Sequence, residues 1–337
     1  MWDDTQFEKS MKNSLKKLGQ DGDVLAGKYS WSKKKLVEEV YEEIKRSEPN
    51  LSDHGPRHIK NVLENIGQLL GKEVKHYKAQ ELYCLGMIAL FHDVGNIYGR
   101  KRHNEKIREI YARVCGHDDN HEMKMIVQAA KAHTGEASTG TKDTLSELDN
   151  NFYFLARSIR LRELAAILRI ADELAEGPQR TSRFVLETMG YPETSRIYHL
   201  YASQVQVNID RDEERFALTY NIKVSKDHQV EAPQIEEVKA LLEFSCKRLI
   251  KLDQERKYTK FYCDRLSPFK TTSGKFVFWF GIEDFDCDLP TIVIDDKIIP
   301  GDSAKTVVDL EPAFAPEQIA SRLVERAQQR QRGQTDV

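Results

Sequence analysis

The sequence has few features of a secreted, disulfide-linked or membrane-spanning protein. Its five cysteines are odd in number and scattered, so they show neither a disulfide framework nor the paired spacing of a metal site. No run of about 18 apolar residues occurs. The first residues, Met-Trp-Asp-Asp-Thr, lack the basic patch and apolar stretch of a leader. We therefore expect reduced thiols, no membrane association and a cytoplasmic location.

The chain also lacks an excess of one charge. Its 51 basic and 54 acidic residues leave a net charge of -3, so no global field attracts nucleic acid or an anionic membrane. The basic runs Lys33–Lys35 and Arg100–Arg102 are typical of solvated helix faces and loops. Any polyanion would have to be bound by a local site.

Proline and glycine are sparse, at 10 and 18 residues, and the 40% hydrophobic content is typical of a folded globular protein. The 337 residues exceed the roughly 250 to 300 at which single cores stop growing, so two domains are expected. Apolar residues recur at helical spacing from Gln6 to about Leu174. We predict a mainly α fold, with a helical bundle in residues 1–190 and a smaller α+β domain with a polar tail in residues 191–337.

The second region changes from helical to alternating patterns. Val205, Val207 and Ile209 alternate with polar residues before a charged turn, and Phe216–Val224 follows as a partner strand, which predicts a hairpin. Further predicted elements are a helix at Ile235–Lys257, strands at Lys275–Ile282 and Thr291–Ile294, and a helix at Pro316–Ala327.

One predicted strand is apolar on both of its faces. Phe276–Phe280 has no polar residue, so this strand is expected to be buried or to pair with another subunit. A homo-oligomer is therefore one hypothesis for the assembly.

Histidine and aspartate residues lie in register with the apolar faces of four predicted helices. His58, His92 and His133 each align with such a face, Asp93 follows His92 directly, and Asp172 ends a leucine-rich stretch. A bare carboxylate beside apolar neighbours costs several kcal/mol unless it is paired or bound to a cation. A divalent metal site explains all five residues together, although a single buried histidine is more often a hydrogen-bonded core residue.

Mixed imidazole and carboxylate ligands suit Mn, Fe, Co, Ni or Zn, and Mg stays possible if fewer histidines take part.

These residues resemble the H…HD…D signature of the HD-domain metal-dependent phosphohydrolase superfamily. The resemblance covers roughly residues 50 to 180: His58, the pair His92-Asp93 in Leu-Phe-His-Asp-Val-Gly, and Asp172 in Leu-Arg-Ile-Ala-Asp-Glu-Leu. It implies that these four residues hold a first ion in an HD-type helical domain. It further implies hydrolysis of a phosphomonoester or phosphodiester bond by a metal-activated water.

The resemblance also bears on a second ion. Two-metal members carry further histidines between the HD pair and the last aspartate, where this chain has His103 and His133. Asp93 would then bridge the two ions. One departure is Thr134, since two-metal relatives often have consecutive histidines at that place, so one or two ions remain possible.

Other residues near these ligands in the sequence are candidates for proton transfer and phosphate binding. His54 lies in a Gly-Pro loop and either supports catalysis as a proton donor or is an ordinary loop residue. Basic candidates are Lys131 as a catalytic residue and Arg57, Arg169, Arg180 and Arg183 as substrate-binding residues. His117 and His121 flank an acidic turn and are expected to be solvated.

The expected function is hydrolysis of a nucleotide or cyclic nucleotide. Two alternatives stay open: a non-catalytic HD module that senses a nucleotide, and a single-strand nuclease. The nuclease would need a basic channel, which the net charge does not indicate.

Overall fold

Helices dominate the chain and a small sheet region follows them, so the predicted mainly α class with a smaller α+β part is confirmed. The computed structural model describes residues 2–47, 52–99, 103–116, 120–225, 230–285, 287, 289–296 and 306–335. His117 and the Arg100–Arg102 run lie outside these residues.

Contacts divide the chain into two units. The first unit is Met1–Ala175 with Glu255–Ser267, and the second is Glu176–Gln254 with Pro268–Val337. The domain boundary after residue 190 stays a prediction.

The first unit is a bundle of helices with local start and stop signals. A capping box of Thr5 and Glu8 begins α1, Pro56 occupies the first turn of α4, and Gly71 with φ 48° ends it. The helices are α1 (Gln6–Leu15), α2 (Gln20–Leu36), α3 (Glu42–Ser47), α4 (Pro56–Leu70), α5 (Ala79–Phe91), α6 (His103–Cys115), α7 (Asn120–Lys131) and α8 (Leu161–Glu173).

Helix α5 forms the centre of this bundle. It contacts α1, α2, α4, α7 and α8, and every residue from Gln80 to Phe91 is buried. A helix that is buried on all sides needs apolar residues around its whole circumference, as this one has. Its one buried acid, Glu81, accepts two hydrogen bonds from the guanidinium of Arg160, the residue before α8, at 2.8 and 2.9 Å. Because α5 is buried up to its last residue, Phe91, the next residue, His92, lies in the core.

A hairpin interrupts the helices of the first unit. Strands β1 (Phe152–Phe154) and β2 (Arg157–Ile159) pair antiparallel around Leu155 and Ala156, whose φ angles are 48° and 57°. The helical pattern from Gln6 to about Leu174 predicts no strands, so this hairpin departs from the prediction. Two-residue turns with positive φ normally carry Asn or Gly, so the Leu-Ala pair gave no turn signal.

The second unit contains a five-stranded sheet with helices. Its further elements are α9 (Arg183–Thr188), α10 (Glu193–Gln204), β3 (Val205–Asp210), β4 (Arg215–Ser225), α11 (Ala232–Tyr262), β5 (Thr271–Phe280), β6 (Glu283–Phe285), β7 (Ile292–Ile294), α12 (Val307–Leu310) and α13 (Pro316–Thr335). The last turns of α11, from Glu255, belong to the first unit.

The predicted hairpin of the second unit is confirmed. Strands β3 and β4 pair antiparallel, with Val205 opposite Tyr220. Strand β5 pairs parallel with β4 on one side and antiparallel with β6 and β7 on the other. The aromatic run Phe276–Phe280 therefore lies in a strand that has partners on both edges. Phe276, Phe278 and Phe280 are buried, whereas Val277 and Trp279 on the other face are partly exposed. The homo-oligomer stays a prediction.

Among the described residues, no helix combines the length and apolar composition needed to cross a bilayer. Helix α13 continues to Thr335, past its predicted end at Ala327, because the Gln and Arg residues of the polar tail are good helix formers.

Candidate metal centre

The start of α4 brings two histidines to the interior of the first unit. Gly55 is the N-cap and Pro56 the first residue of α4, so His58 falls in the first turn and His54 just before the helix. His58 is 1% exposed. The side chain of His54 keeps 13% exposure.

The end of α5 supplies the His-Asp pair. His92 follows the last residue of the helix and is fully buried. Asp93 has φ -108° and ψ 0°, a sparsely populated conformation in which active-site residues often occur. A short 3₁₀ turn, Val94–Tyr98, then turns the chain away from the core. The motif thus lies where a wholly buried helix stops.

His103 and His133 come from the boundaries of two other helices. His103 is the first residue of α6, and His133 lies two residues beyond the last residue of α7. The start of α6 passes very close to the turn after the His-Asp pair: a Cβ built on Gly95 would lie 1.8 Å from the carbonyl oxygen of His103. Only glycine fits at position 95 in this arrangement.

Asp172 lies in the last turn of α8 and faces α4 and α5. Its Oδ1 is 3.1 Å from Nε2 of His58 and 3.7 Å from Nε2 of His92. The side chain of Asp172 is 26% exposed, whereas those of His58 and His92 are buried. Solvent therefore reaches the centre on the side of Asp172.

Asp93 lies between two sets of residues. Its Oδ2 is 3.4 Å from Nε2 of His58 and 3.5 Å from Nε2 of His92, while its Oδ1 is 3.6 Å from Nε2 of His133. We call His58, His92 and Asp172 the first cluster, and His103 and His133 the second cluster. The candidate ligand atoms of the first cluster lie within 4.8 Å of one another, and so do those of the second cluster with Asp93.

Backbone carbonyls fix the tautomers of two histidines. A carbonyl only accepts hydrogen bonds, so Nδ1 of His92, 2.9 Å from the oxygen of Ala89, carries a proton. The same holds for Nδ1 of His133, 2.5 Å from the oxygen of Ala130. In the neutral rings, the Nε2 lone pairs then face Asp93. A metal-binding histidine is commonly oriented in this way.

Buried nitrogens without partners show that the residues fit a cation. Within the described part of the chain, both ring nitrogens of His58 and Nε2 of His92 have no hydrogen bond of acceptable geometry. The 3.1 Å contact between His58 and Asp172 has a suitable distance but not a suitable direction. Buried polar atoms left in this state cost about 1–3 kcal/mol each. A divalent ion coordinated by Nε2 of His58, by Nε2 of His92 and by the two carboxylates would remove that cost for these two nitrogens.

Charges within the centre are strongly coupled. Burial disfavours the charged form of His92, but the negative charges of Asp93 and Asp172 outweigh it and raise the pKa of His92 to about 9. Burial likewise opposes ionisation of the two aspartates, yet the neighbouring histidines hold the pKa of Asp93 and that of Asp172 well below the usual range. The two carboxylates are therefore ionised, and their negative charge favours a positive charge between them.

The structure brings His54 into this centre. Its Nδ1 donates to Oδ2 of Asp93 at 2.9 Å, so it touches the carboxylate shared by the clusters. Arg57 and Lys131 are exposed residues at the edges of α4 and α7. His121 is exposed and contacts the carbonyl oxygen of Tyr153 on β1, at 2.5 Å. The catalytic roles of His54 and Lys131 and the substrate-binding role of Arg57 stay predictions.

The three remaining predicted substrate-binding arginines differ in their surroundings. Arg169, in the first unit, is buried and makes a two-bond ion pair with Glu255. Arg180, in the second unit, is buried and lies 3.8 Å from Glu176. Arg183, also in the second unit, is exposed and pairs with Glu187 at 2.7 Å. Their substrate-binding roles stay predictions.

Sequence reasoning missed the residues that support the centre. Asn65 is buried on α4, and its Nδ2 donates to the carbonyl oxygen of Ala171, one residue before Asp172, at 2.9 Å. A signal was present, because Asn65 is a polar residue on an apolar face, two turns after His58. The corresponding support for His133 comes from Thr144 and Arg169, which are distant in sequence.

Comparisons with known proteins give one match. The HD-CE family model matches residues 48–251, a span that includes all the residues of the two clusters and Asp93. Searches of curated proteins and of solved structures found no significant match. Since the matched span is more than half of the sequence, this chain belongs to the HD-CE family.

Proposed function

We propose that this chain is a metal-dependent phosphohydrolase that holds two divalent ions and cleaves a phosphomonoester or phosphodiester bond in a nucleotide or cyclic nucleotide. The observation that carries the proposal is the position of Asp93. One of its oxygens faces His58 and His92, and the other faces His133. A carboxylate between two sets of imidazoles is the arrangement that a bridging ligand of two ions requires.

His58, His92, Asp93 and Asp172 would hold the first ion, and Asp93, His103 and His133 the second. Bound divalent ions would supply Lewis acidity, which lowers the pKa of water and draws charge from a phosphoryl oxygen. The protein's own contribution is preorganisation. The carbonyls of Ala89 and Ala130 keep Nε2 of His92 and His133 directed at the centre, so little rearrangement is needed on binding.

His54 is the proton donor in this proposal. It contacts Asp93 through Nδ1, and its side chain keeps 13% exposure, whereas His58 and His92 are sealed in the core. An imidazole at the solvent edge of a site can give a proton to a leaving oxygen and recover one from water. Arg57 and Lys131, exposed near the first and second clusters in sequence, are proposed to stabilise phosphate charge.

Metal content is the primary test. The protein is loaded with Mn²⁺, dialysed and measured by elemental mass spectrometry, in wild type and in the variants Asp93→Asn, His103→Ala and His121→Gln. We expect two equivalents in wild type, none in Asp93→Asn and one in His103→Ala. His121→Gln is the matched control, because His121 is exposed and contacts the hairpin rather than the centre.

The same preparations are then incubated with nucleoside mono-, di- and triphosphates, cyclic nucleotides and single-stranded oligonucleotides, and phosphate or diester products are measured. The variant Asp93→Asn should lower turnover more than about 100-fold. This exceeds the effect of removing a residue that only hydrogen-bonds a metal ligand. Absence of metal in wild type contradicts the proposal. Two ions with tight nucleotide binding and no turnover would favour a sensor, and turnover of oligonucleotides only would favour a nuclease.

A further inference from the structure

Arg169 forms a buried junction beside the proposed metal centre. It lies on α8, one turn before Asp172, and its guanidinium donates to both oxygens of Glu255 at 2.7 and 2.9 Å. A third nitrogen donates to Oγ1 of Thr144 at 2.9 Å and to the carbonyl oxygen of Ala132 at 3.4 Å. Four of the five guanidinium hydrogens are therefore directed at protein oxygens.

The junction holds the backbone that carries His133. Helix α7 ends at Lys131, so Ala132 and His133 lie beyond its last turn. The carbonyl oxygen of Ala132 accepts a hydrogen bond from the hydroxyl of Thr144 at 2.6 Å as well as that from Arg169. These contacts fix the peptide that joins Ala132 to His133. They restrict the backbone of this turn, as helical hydrogen bonds restrict the backbone at a ligand inside a helix.

The last turns of α11 hold the junction from the other side. Glu255 and Tyr258 lie on one face of this helix, and the ring of Tyr258 stacks under Arg169 at 4.6 Å. The hydroxyl of Tyr258 donates to Asp143 at 2.9 Å and accepts from the backbone nitrogen of Leu145 at 3.0 Å. Tyr258 thus hydrogen-bonds both neighbours of Thr144, Asp143 and Leu145, and so restricts the position of Thr144.

We propose that Glu255 is a positioning residue for the second ion: through Arg169 and Thr144 it fixes the peptide before His133, and so directs Nε2 of His133 at Asp93. This inference rests on the proposed function, since it concerns the second ion of that centre. It assigns Arg169 a role in placing a ligand, because its hydrogen-bonding capacity is directed at Glu255, Thr144 and Ala132.

The test compares Glu255→Gln with Glu81→Gln. Each glutamate accepts two hydrogen bonds from the guanidinium of one arginine in the first unit. Glu81, however, pairs with Arg160, the residue before α8, which precedes Asp172 by twelve residues and so lies roughly 18 Å away along the helix axis. The two changes remove the same charge from similar pairs, at the two ends of one helix.

Binding of Mn²⁺ is measured by calorimetry and by electron paramagnetic resonance, in which two Mn²⁺ ions that share a carboxylate give a coupled multiline signal. Glu255→Gln should weaken the second binding step by about 10- to 100-fold, as expected for an outer partner of a metal ligand, and should abolish the coupled signal at limiting Mn²⁺. The first step should be unchanged. Glu81→Gln should keep both steps, whatever it does to the melting temperature.

Thr144→Val and Thr144→Ser provide a second pair in case Glu255→Gln does not fold. The valine keeps the shape and loses the hydroxyl that binds Ala132, so the second step should weaken. The serine keeps the hydroxyl, so the second step should recover.

Several outcomes are decisive. If wild type and all four variants bind two ions with equal affinity, the positioning role is overturned while the two-ion centre stands. If the second step weakens as expected but wild type hydrolyses no substrate, the positioning role stands and the hydrolase proposal fails. A wild type with fewer than two ions overturns both.

Discussion

The two clusters around Asp93 are built from different kinds of backbone. The first cluster comes from helix ends that pack against one another in the centre of the bundle: His58 in the first turn of α4, His92 at the end of the wholly buried α5, and Asp172 in the last turn of α8. The second cluster comes from the first residue of α6 and from a turn beyond α7. Packed helix ends position the first cluster, whereas in the second cluster His133 depends in addition on hydrogen bonds to the turn beyond α7.

This difference has consequences for metal binding. Residues on packed helices have little freedom to move, because interiors are close-packed and a shift of one side chain displaces its neighbours. His133, in contrast, lies in a turn whose two carbonyls, those of Ala130 and Ala132, are hydrogen-bonded to its own ring and to Thr144 and Arg169. The backbone of His103 closely approaches Gly95. We therefore expect the first ion to bind more tightly, and changes at the supports of the second cluster to separate the two ions.

Gly95→Ala is expected to break the second cluster most severely. A Cβ at this position would lie 1.8 Å from the carbonyl oxygen of His103, so either the 3₁₀ turn or the start of α6 must move. Overpacking of this kind costs about 1–3 kcal/mol. We expect the affinity for the second Mn²⁺ to fall more than about 100-fold, which exceeds the effect of removing a residue that only hydrogen-bonds a metal ligand. The affinity for the first ion should be retained. Calorimetric titration with Mn²⁺ measures both steps.

Gly27→Ala is the matched control for this change. Gly27 is exposed in α2, and a Cβ there would have no atom within 4 Å. Alanine is favoured over glycine in a helix by about 1 kcal/mol, so this variant should be slightly more stable and should bind both ions. Equal loss of both ions in Gly95→Ala would show that the clusters are not independent, and would remove the basis of the comparison.

The contrast between the clusters also explains how much the sequence could predict. Helical spacing, a local property of the sequence, predicts His58, His92 and Asp172 of the first cluster and also His133 of the second, because each lies in register with an apolar face. His103 comes only from the family resemblance. The mainly helical class and the β3–β4 hairpin followed from the same kind of local pattern.

Support from distant residues could not be predicted in this way. Thr144 and Glu255 meet Arg169 across 25 and 86 positions of the chain, and no spacing rule connects them. Arg169 illustrates the consequence. Its place near Asp172 in the sequence predicts a substrate-binding residue, and that role stays a prediction. Its contacts with Glu255, Thr144 and Tyr258 are visible only in the structure.

Asn65→Leu should perturb the first cluster by a moderate amount. Leucine keeps approximately the same shape but cannot donate to the carbonyl oxygen of Ala171, one of the last carbonyls of α8 that helical hydrogen bonds leave unsatisfied. Leaving that group without a donor should cost about 1–3 kcal/mol of stability. Asp172 should then be held less firmly, and the first ion should bind about 10- to 100-fold more weakly.

Chemical denaturation and Mn²⁺ titration measure these two effects of Asn65→Leu. Binding of the second ion is the internal control, since the described hydrogen bond of Asn65 goes to α8 beside Asp172 and not to His103 or His133. A variant that weakens only the second step would contradict the assignment of Asn65 to the first cluster.

The smallest expected effect is that of one pH unit on the affinity for the first ion. Because the pKa of His92 is raised to about 9, its ring is protonated at pH 7 in the metal-free protein, and an ion must displace that proton to bind Nε2. The pKa values of Asp93 and Asp172 are lowered, so both carboxylates stay ionised in this range. Affinity for the first ion should therefore rise with pH, about tenfold per unit between pH 7 and 8, and level off above about pH 9.

Calorimetry in two buffers with different ionisation enthalpies gives the number of protons released as the first ion binds. One proton should be released at pH 7, and the number should fall towards zero as the pH passes the pKa of His92. An affinity that is equal at pH 7 and pH 8, with no proton released, would mean that His92 is already neutral in the metal-free protein. Asp93 and Asp172 would then lie beside a neutral His92 ring, which would be ready to bind an ion without first losing a proton.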